Sequence, residues 1–407
     1  MKKTTLYSLF TLLFLQLSFF VAELSGLSAN AEAQEAESTA NPLAAPPILR
    51  PVPEKYSDAN RRWQGISSLE VSRDGGVWVC WYSGGGGECG ENFVLLAHSG
   101  DGGETWSKPI FAIDPPGNVR AFDPAIWSDP NGKLWLFWAQ GEESKFNPSI
   151  WDGRVGVWAV TTENPEAGGD AVWSEPRRLS NGIMMGKPLV DSKNRWLFPV
   201  AIWRFDSKYK IDEKLRGAAV YVSTDGGETL DFYGRAEVPR DVSIFDEHNL
   251  VEKKDGTLWL LNRTTFGIGE SFSSDGGATW TPVVPSKNLK HTSSRFFVRR
   301  LKSGALLLVK NGPIDADVGR SRMTAFLSTD DGATWSGGLV LDERSNVSYP
   351  DGGQTEDGTI FVTYDFDRYG EREIYVARFA EADVAAGKIV SDVGRLKILV
   401  NKATGAK

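Results

Sequence analysis

The chain has 407 residues, of which 41% are hydrophobic and 24% charged, with 43 Gly, 15 Trp and only 4 Met. This composition describes a packed chain rather than a disordered one, and glycine above the usual ~7% favours short strands and tight turns over a helical bundle. At ~150 residues per domain the length admits two or three ordinary domains or one large all-β unit. A formal charge of −8 disfavours a nucleic-acid binder working through a broad basic surface. Two Cys and the three residues His98, His248 and His291 leave little material for a metal site, so neither metal nor cofactor is expected.

In chain order, Lys2 and Lys3 form a charged start, Leu6 to Ala22 is apolar, and Ala29-Asn30-Ala31 offers a small-residue cleavage site. The pattern predicts a signal peptide over residues 1–31 and an exported protein, periplasmic or secreted. A retained anchor is the competing reading. No later stretch is long and apolar enough to span a bilayer. Residues 32–57, rich in Ala, Pro and Glu, read as a disordered lead-in, which leaves residues 58–407 as the folded unit. Export makes a Cys80–Cys89 disulfide chemically accessible, with two independent thiols as the alternative.

Two interleaved repeats organise the rest. The motif Ser-x-Asp-x-Gly-x-Thr-Trp occurs at Ser99–Trp106, Ser273–Trp280 and Ser328–Trp335, and with a final Leu at Ser223–Leu230. Its Asp and Ser side chains suit a turn held by backbone N–H groups, its Gly accepts positive φ, and its aromatic residue anchors the hairpin. A degenerate copy ends at Val172-Trp173-Ser174. The second repeat is a tight polar turn followed by an apolar strand: Asp74-Gly75 before Val77, Asn131-Gly132 before Leu134, Lys193-Asn194 before Trp196, Asp255-Gly256 before Leu258, Ser303-Gly304 before Leu306 and Asp357-Gly358 before Ile360. Successive turns lie 48 to 62 residues apart. That spacing suits one four-stranded antiparallel blade per period, so an all-β, six-bladed β-propeller is expected.

If each turn joins the two inner strands of a blade, the residues leading into the first strand and out of the second share the opposite face. Six blades then gather these positions around one channel. They include Arg61, Arg62 and Gln64 with the loop Ser83 to Glu91; Arg120 and Asp123 with Gln140; Lys187 and Trp203; Glu247 and His248 with Arg263; Arg295 with Asn311; and Tyr349 with Asp365. Convergent arginines suit an anionic ligand, because guanidinium pairs bidentately with carboxylate.

These residues resemble the sialidase (neuraminidase) superfamily, whose members are six-bladed propellers with the same Asp-box repeats. In that family a Glu begins a blade and an Arg of a carboxylate-binding triad follows sixteen residues later, as Glu247 and Arg263 do here. Another triad Arg precedes the last Asp box by eight residues, matching Arg320 and Ser328. The nucleophilic Tyr stands eight residues before the final Asp-Gly turn, matching Tyr349 and Asp357. The resemblance implies a retaining exo-glycosidase with Tyr349 as nucleophile and Glu247 as its base. Arg263 and Arg320 would then bind the substrate carboxylate. A tyrosinate meets less charge repulsion than a carboxylate would at an anomeric carbon bearing its own carboxylate, and sialidases depart from the two-carboxylate pattern in this way.

The N-terminal half departs from the family. Gly65, in Gln64-Gly65-Ile66-Ser67, stands where an Arg-Ile-Pro is usual, and Arg61, Arg62 or Arg295 is the expected substitute. The loop Gly84–Glu91 has no Asp where the family carries its acid, so Glu88 is the expected proton donor, with Glu91 second. Arg120, Asp123 and His248 are expected around the substrate. These departures leave room for an acidic sugar other than N-acetylneuraminic acid. Two other readings stand beside the hydrolase: a non-catalytic carbohydrate-binding propeller, and a polysaccharide lyase using Tyr349 or His248 as base on a uronate. The expected partner is a glycan bearing an acidic sugar, with no nucleic acid, and the protein is expected to be a monomer.

Overall fold

The computed structural model describes residues 41–142, 154–203 and 212–406. The signal peptide expected over residues 1–31 lies outside them, as does the lead-in up to residue 40. Six antiparallel sheets form in chain order, each built from consecutive strands. The innermost strands are Gln64–Val71, Val119–Ser128, Leu189–Val190, Ser243–Glu252, Phe297–Arg300 and Val347–Gln354. The second strands are Val77–Ser83, Leu134–Glu142, Trp196–Ile202, Leu258–Thr264, Leu306–Asn311 and Ile360–Phe366, the apolar runs expected after the six turns. They read as continuous hydrophobic stretches because a neighbouring blade covers each face. Between blades two and three, for example, Trp196 meets Trp127 and Trp135 edge-on at centroid distances of 5.0 and 6.1 Å. The architecture is the six-bladed β-propeller expected from the repeats.

The Asp boxes close the third strands of blades one, three, four and five, and all four use the same bonds. In the first, Asp101 accepts from Thr105 N at 2.9 Å, Thr105 Oγ1 at 2.6 Å and Ser99 Oγ at 2.7 Å, while Gly103 N donates to Ser99 Oγ at 2.9 Å. Blade two carries the degenerate copy: Thr162 and Asn164 take the Ser and Asp places, and a turn at Pro165–Asp170 is inserted before Trp173. In blade six the short helix Glu381–Ala386 replaces the box.

Among the described residues no strand is shared between the first and last blades, and the ring is closed by side-chain bonds together with the C-terminal tail. Asp365 Oδ2 accepts from Ile66 N at 2.8 Å, Asp351 Oδ2 accepts from Leu69 N at 3.0 Å, and the hydroxyls of Ser67 and Thr363 lie 2.9 Å apart. The C-terminal tail crosses back to blade one through Thr404 N to Asp58 O at 2.7 Å and Gly405 N to Arg61 O at 3.0 Å.

One expectation is corrected here. Residues 41–57 are not a loose lead-in: Ile48–Leu49 pairs with Phe111–Ile113 as a fifth strand of blade one. Tyr56 is buried and donates to Asp114 at 2.6 Å. The carbonyls of Pro42 and Ala44 accept from Gln140 Nε2 at 3.0 and 2.9 Å. Cys80 and Cys89 are both free thiols, the first sealed within the second strand of blade one and the second in the loop beyond it. No helix among the described residues is long and apolar enough to cross a membrane. Nor do the described residues contain a group of three or more His, Cys, Asp or Glu placed to hold a metal ion.

Candidate active site

The channel mouth opposite the six turns is shaped by irregular inner strands. Ladder pairing slips in blades one, two, four and six between Gly65 and Ser68, Phe122 and Ala125, Ser243 and His248, and Ser348 and Asp351. Each slip contains one residue at positive φ: Ile66 at 55°, Asp123 at 47°, Asp246 at 46° and Tyr349 at 54°. A bulge of this kind re-aims a side chain, and a non-glycine residue there costs on the order of 1–3 kcal/mol, which the surrounding fold must offset. Asp123 and Tyr349 therefore occupy equivalent positions in different blades, and Pro follows both. Asp246 fixes the bulge beside Glu247 by accepting from Ser243 Oγ at 2.9 Å and Asn262 Nδ2 at 3.2 Å.

Three side chains converge from blades four and six. Arg263 Nη1 donates to Glu247 Oε1 at 2.8 Å and to Tyr349 Oη at 3.2 Å, and Tyr349 Oη lies 3.4 Å from the same Glu247 oxygen. Tyr349 is 5% and Glu247 7% exposed. Among the described residues Glu247 Oε2 is buried without a hydrogen-bond partner, as is Arg263 Nε. Burial, reinforced by the Glu247 carboxylate, pushes the Tyr349 phenol up to about 12, while Arg263, Arg368 and Arg320 pull against that rise. The resting tyrosine is therefore neutral near pH 7. Arg320 stands over the Tyr349 ring at 5.3 Å, and among the described residues its guanidinium makes no ion pair.

The remaining candidates divide. Asp123 is buried, and its carboxyl is pushed up to about 8 by burial first and then by the Glu88 charge, with Glu247 adding to the rise and Arg120 and Arg295 opposing it. It is a carboxyl held protonated near neutrality, coupled to both acidic groups of the mouth. Arg120 lies beside it with its guanidinium 4.0 Å from the Phe122 ring. Glu88 accepts from Arg368 Nη1 at 2.8 Å and so is committed to that ion pair.

Four expected substrate-facing residues serve the scaffold or the rim instead. His248 places its two ring nitrogens 2.9 and 2.8 Å from the carbonyls of Asp246 and Ala219, and burial lowers its pKa. Arg295 pairs with Asp351 at 3.3 Å in a buried network that also joins Lys187 to Glu70 and Asp351, and Arg299 to Glu70. Arg61 is buried among Asp58, Gln64, Ser83 and Asn401 near the chain closure. Arg62 is half exposed and reaches Glu91 at 3.8 Å. A cavity of about 380 Å³ opens at the other, turn-bearing end of the channel, lined by Trp127, Lys187, Asn249, Arg299 and Arg300 among others. Its cations are paired with Glu70, Asp351 and Asp331, and none of the mouth residues line it.

One residue of the mouth escapes the sequence reading. Arg368, three residues beyond Asp365, places its guanidinium 5.0 Å from the Tyr349 ring centroid. The available signal was the gap at Gly65, but its consequence depends on which blade lies alongside.

The fold and this mouth define a six-bladed propeller with a tyrosine, a glutamate and several arginines at one end of its channel. Residues 75–362 match the BNR repeat-like domain, and the chain belongs to that family. A sialidase of Bacteroides fragilis (strain YCH46) is 24% identical over 311 residues, covering 67% of this chain and 54% of that protein, so the chain spans about half the length of its relative. The Hadza microbial sialidase Hz136 superposes with a TM-score of 0.59 at 19% identity, covering 74% of this chain and 63% of that one. The NanB sialidase of Streptococcus pneumoniae does so at 0.60 and 16% identity, covering 86% and 72%. A leech intramolecular trans-sialidase gives 0.59 and 16%, covering 83% of this chain and 71% of that one.

Proposed function

We propose that the protein is an exported glycoside hydrolase of the sialidase type, releasing a terminal acidic sugar with retention through Tyr349. The observation that carries this reading is the buried phenol within reach of a carboxylate, Glu247, and a guanidinium, Arg263, that contacts both. The sialidase relative supports the substrate class. The charged start and apolar run of the first 31 residues support export. A binding propeller needs arginines and aromatics but has no use for a base beside a buried tyrosine. His248, turned to two carbonyls, is not placed to serve a lyase.

In this mechanism Arg263 and Arg320 hold the sugar carboxylate beside the tyrosine. Glu247 takes the phenol proton as the oxygen attacks the anomeric carbon, so the charged nucleophile forms only with the new bond. A second carboxyl must protonate the departing oxygen. Glu88 is spent on Arg368, whereas Asp123 is protonated near neutral pH and suits that role. As a carboxylate it then takes a proton from the water that hydrolyses the glycosyl–tyrosine bond, and Glu247 returns its proton to the phenolate.

The test is turnover of fluorogenic aryl glycosides of N-acetylneuraminic acid and other acidic sugars by the mature protein and its Asp123→Asn variant. Because Asp123 acts while protonated, cleavage of substrates with poor leaving groups should decline as pH rises through about 8. Asp123→Asn should lose about 10²-fold or more in kcat/KM on poor leaving groups and much less on good ones, since kcat/KM reports the step in which the leaving group departs. Equal losses for both would remove Asp123 from proton donation, and no cleavage of any acidic aryl glycoside would sink the hydrolase reading.

A further inference from the structure

We infer that Arg368 is the third guanidinium of the carboxylate-binding site, delivered from blade six through the space that Gly65 leaves open in blade one. The inference rests on the reading of the mouth as a site for an acidic sugar and identifies a residue that determines its specificity.

The steric evidence is direct. A Cβ on Gly65 would lie 2.1 Å from Arg368 Cδ, 2.6 Å from Cγ and 3.1 Å from Asp365 Oδ2. Any side chain at position 65 therefore excludes the present course of Arg368. An arginine at 65 and an arginine at 368 compete for one volume, and this chain fills it from the opposite wall. The stem is then held on two sides, with Nε 3.6 Å from Asp365 and Nη1 2.8 Å from Glu88. Asp365 is fully buried and is itself fixed by Ser348 Oγ at 2.6 Å and Ile66 N at 2.8 Å. A guanidinium anchored in this way loses little further freedom when a ligand arrives, so more of its interaction appears as affinity.

Its neighbours place it in the same cluster as the other two arginines. Arg263 touches the Tyr349 hydroxyl, while Arg320 and Arg368 stand 5.3 and 5.0 Å from the centre of that ring. The three cations come from blades four, five and six around a single phenol. Among the described residues none of the substitutes expected from sequence stands over the Tyr349 ring: Arg61 pairs with Asp58, Arg295 with Asp351, and Arg62 lies at the rim. The ligand class follows from the chemistry. It is a sugar carrying its carboxylate on the anomeric carbon, since the cluster surrounds the group that attacks that carbon. Glu88 becomes the tether of Arg368.

The experiment measures binding of the 2,3-didehydro form of N-acetylneuraminic acid and of its neutral carboxamide, alongside cleavage of the aryl sialoside. Wild type, Arg368→Gln, Arg368→Lys and Gly65→Ala are compared, with thermal midpoints to confirm folding. The expected result is a loss of about 10- to 100-fold in affinity for the acid in Arg368→Gln and in Gly65→Ala, little change for the carboxamide, and partial recovery in Arg368→Lys. Gly65→Ala is informative because it alters no charge and its Cβ collides first with the Arg368 stem. Unchanged affinity for the acid in folded Arg368→Gln overturns the inference, even where wild type cleaves the sialoside and the hydrolase reading stands. Equal losses for acid and carboxamide also overturn it, by assigning Arg368 a structural role. If wild type binds the acid through Arg368 but cleaves nothing, the arginine site stands and the hydrolase reading falls. Failure of wild type to bind the acid at all removes both.

Discussion

Replacing Tyr349 by Phe is expected to lower kcat by about 10² to 10⁴ on acidic aryl glycosides, with KM and the unfolding midpoint little changed. The ring remains to fill the bulge, and Arg263 keeps its 2.8 Å bond to Glu247. What disappears is one oxygen that accepts from Arg263 and faces Glu247. Loss of such a bond costs about 1 kcal/mol of stability, whereas loss of the nucleophile removes the covalent route altogether. Steady-state kinetics on wild type and variant, with denaturant midpoints for both, separate the two effects. A variant retaining more than a tenth of wild-type kcat would exclude Tyr349 as nucleophile.

The second large effect belongs to Arg263. Its ion pair with Glu247 is almost fully buried, with side chains 6% and 5% exposed. Removing one member of a buried pair leaves an uncompensated charge and typically costs about 3–5 kcal/mol. Arg263→Gln should therefore shift the denaturant midpoint strongly as well as abolish turnover, because the same guanidinium also contacts the tyrosine oxygen. The double variant Glu247→Gln, Arg263→Gln should recover most of the stability and none of the activity. Stability of the double variant no better than that of the single one would show that the cost lies elsewhere, for instance in the packing of the Arg263 guanidinium over Phe245 at 4.6 Å.

The fold is legible because its second strands are covered on both faces. Stretches such as Leu134–Trp138 and Leu258–Leu261 stand out as uninterrupted apolar runs, and the turn before each sets the period. Tyr349, Glu247 and Arg263 fall at rim positions marked by the turns of single blades, where neighbours in sequence are neighbours in space, whereas Arg320 enters through the resemblance to sialidases. Contacts between blades are harder to read. Gly65 and Arg368 are 303 residues apart, and their relation arises only when the ring closes. The polarity of Asp123 is obvious in sequence, but its raised pKa depends on burial and on the charges of Glu88 and Glu247, which come from other blades. Composition also misleads over residues 41–57: scattered among Pro and Ala, Ile48, Leu49 and Tyr56 are sufficient to bind the segment to blade one. His248 adjoins Glu247 in sequence, yet strand alternation turns neighbouring side chains in opposite directions, so one faces the mouth and the other the backbone of blade three.

The most direct test of the account is to trap the intermediate. Wild-type protein would be incubated with a 2,3-difluoro derivative of the acidic sugar it cleaves, whose C2 fluoride departs readily while the C3 fluoride slows hydrolysis of the enzyme-bound sugar. Intact mass followed by peptide mapping should show one sugar bound, and the modified residue should be Tyr349. Turnover of the parent glycoside with inverted anomeric configuration, or a trapped sugar on a residue other than Tyr349, would contradict the mechanism.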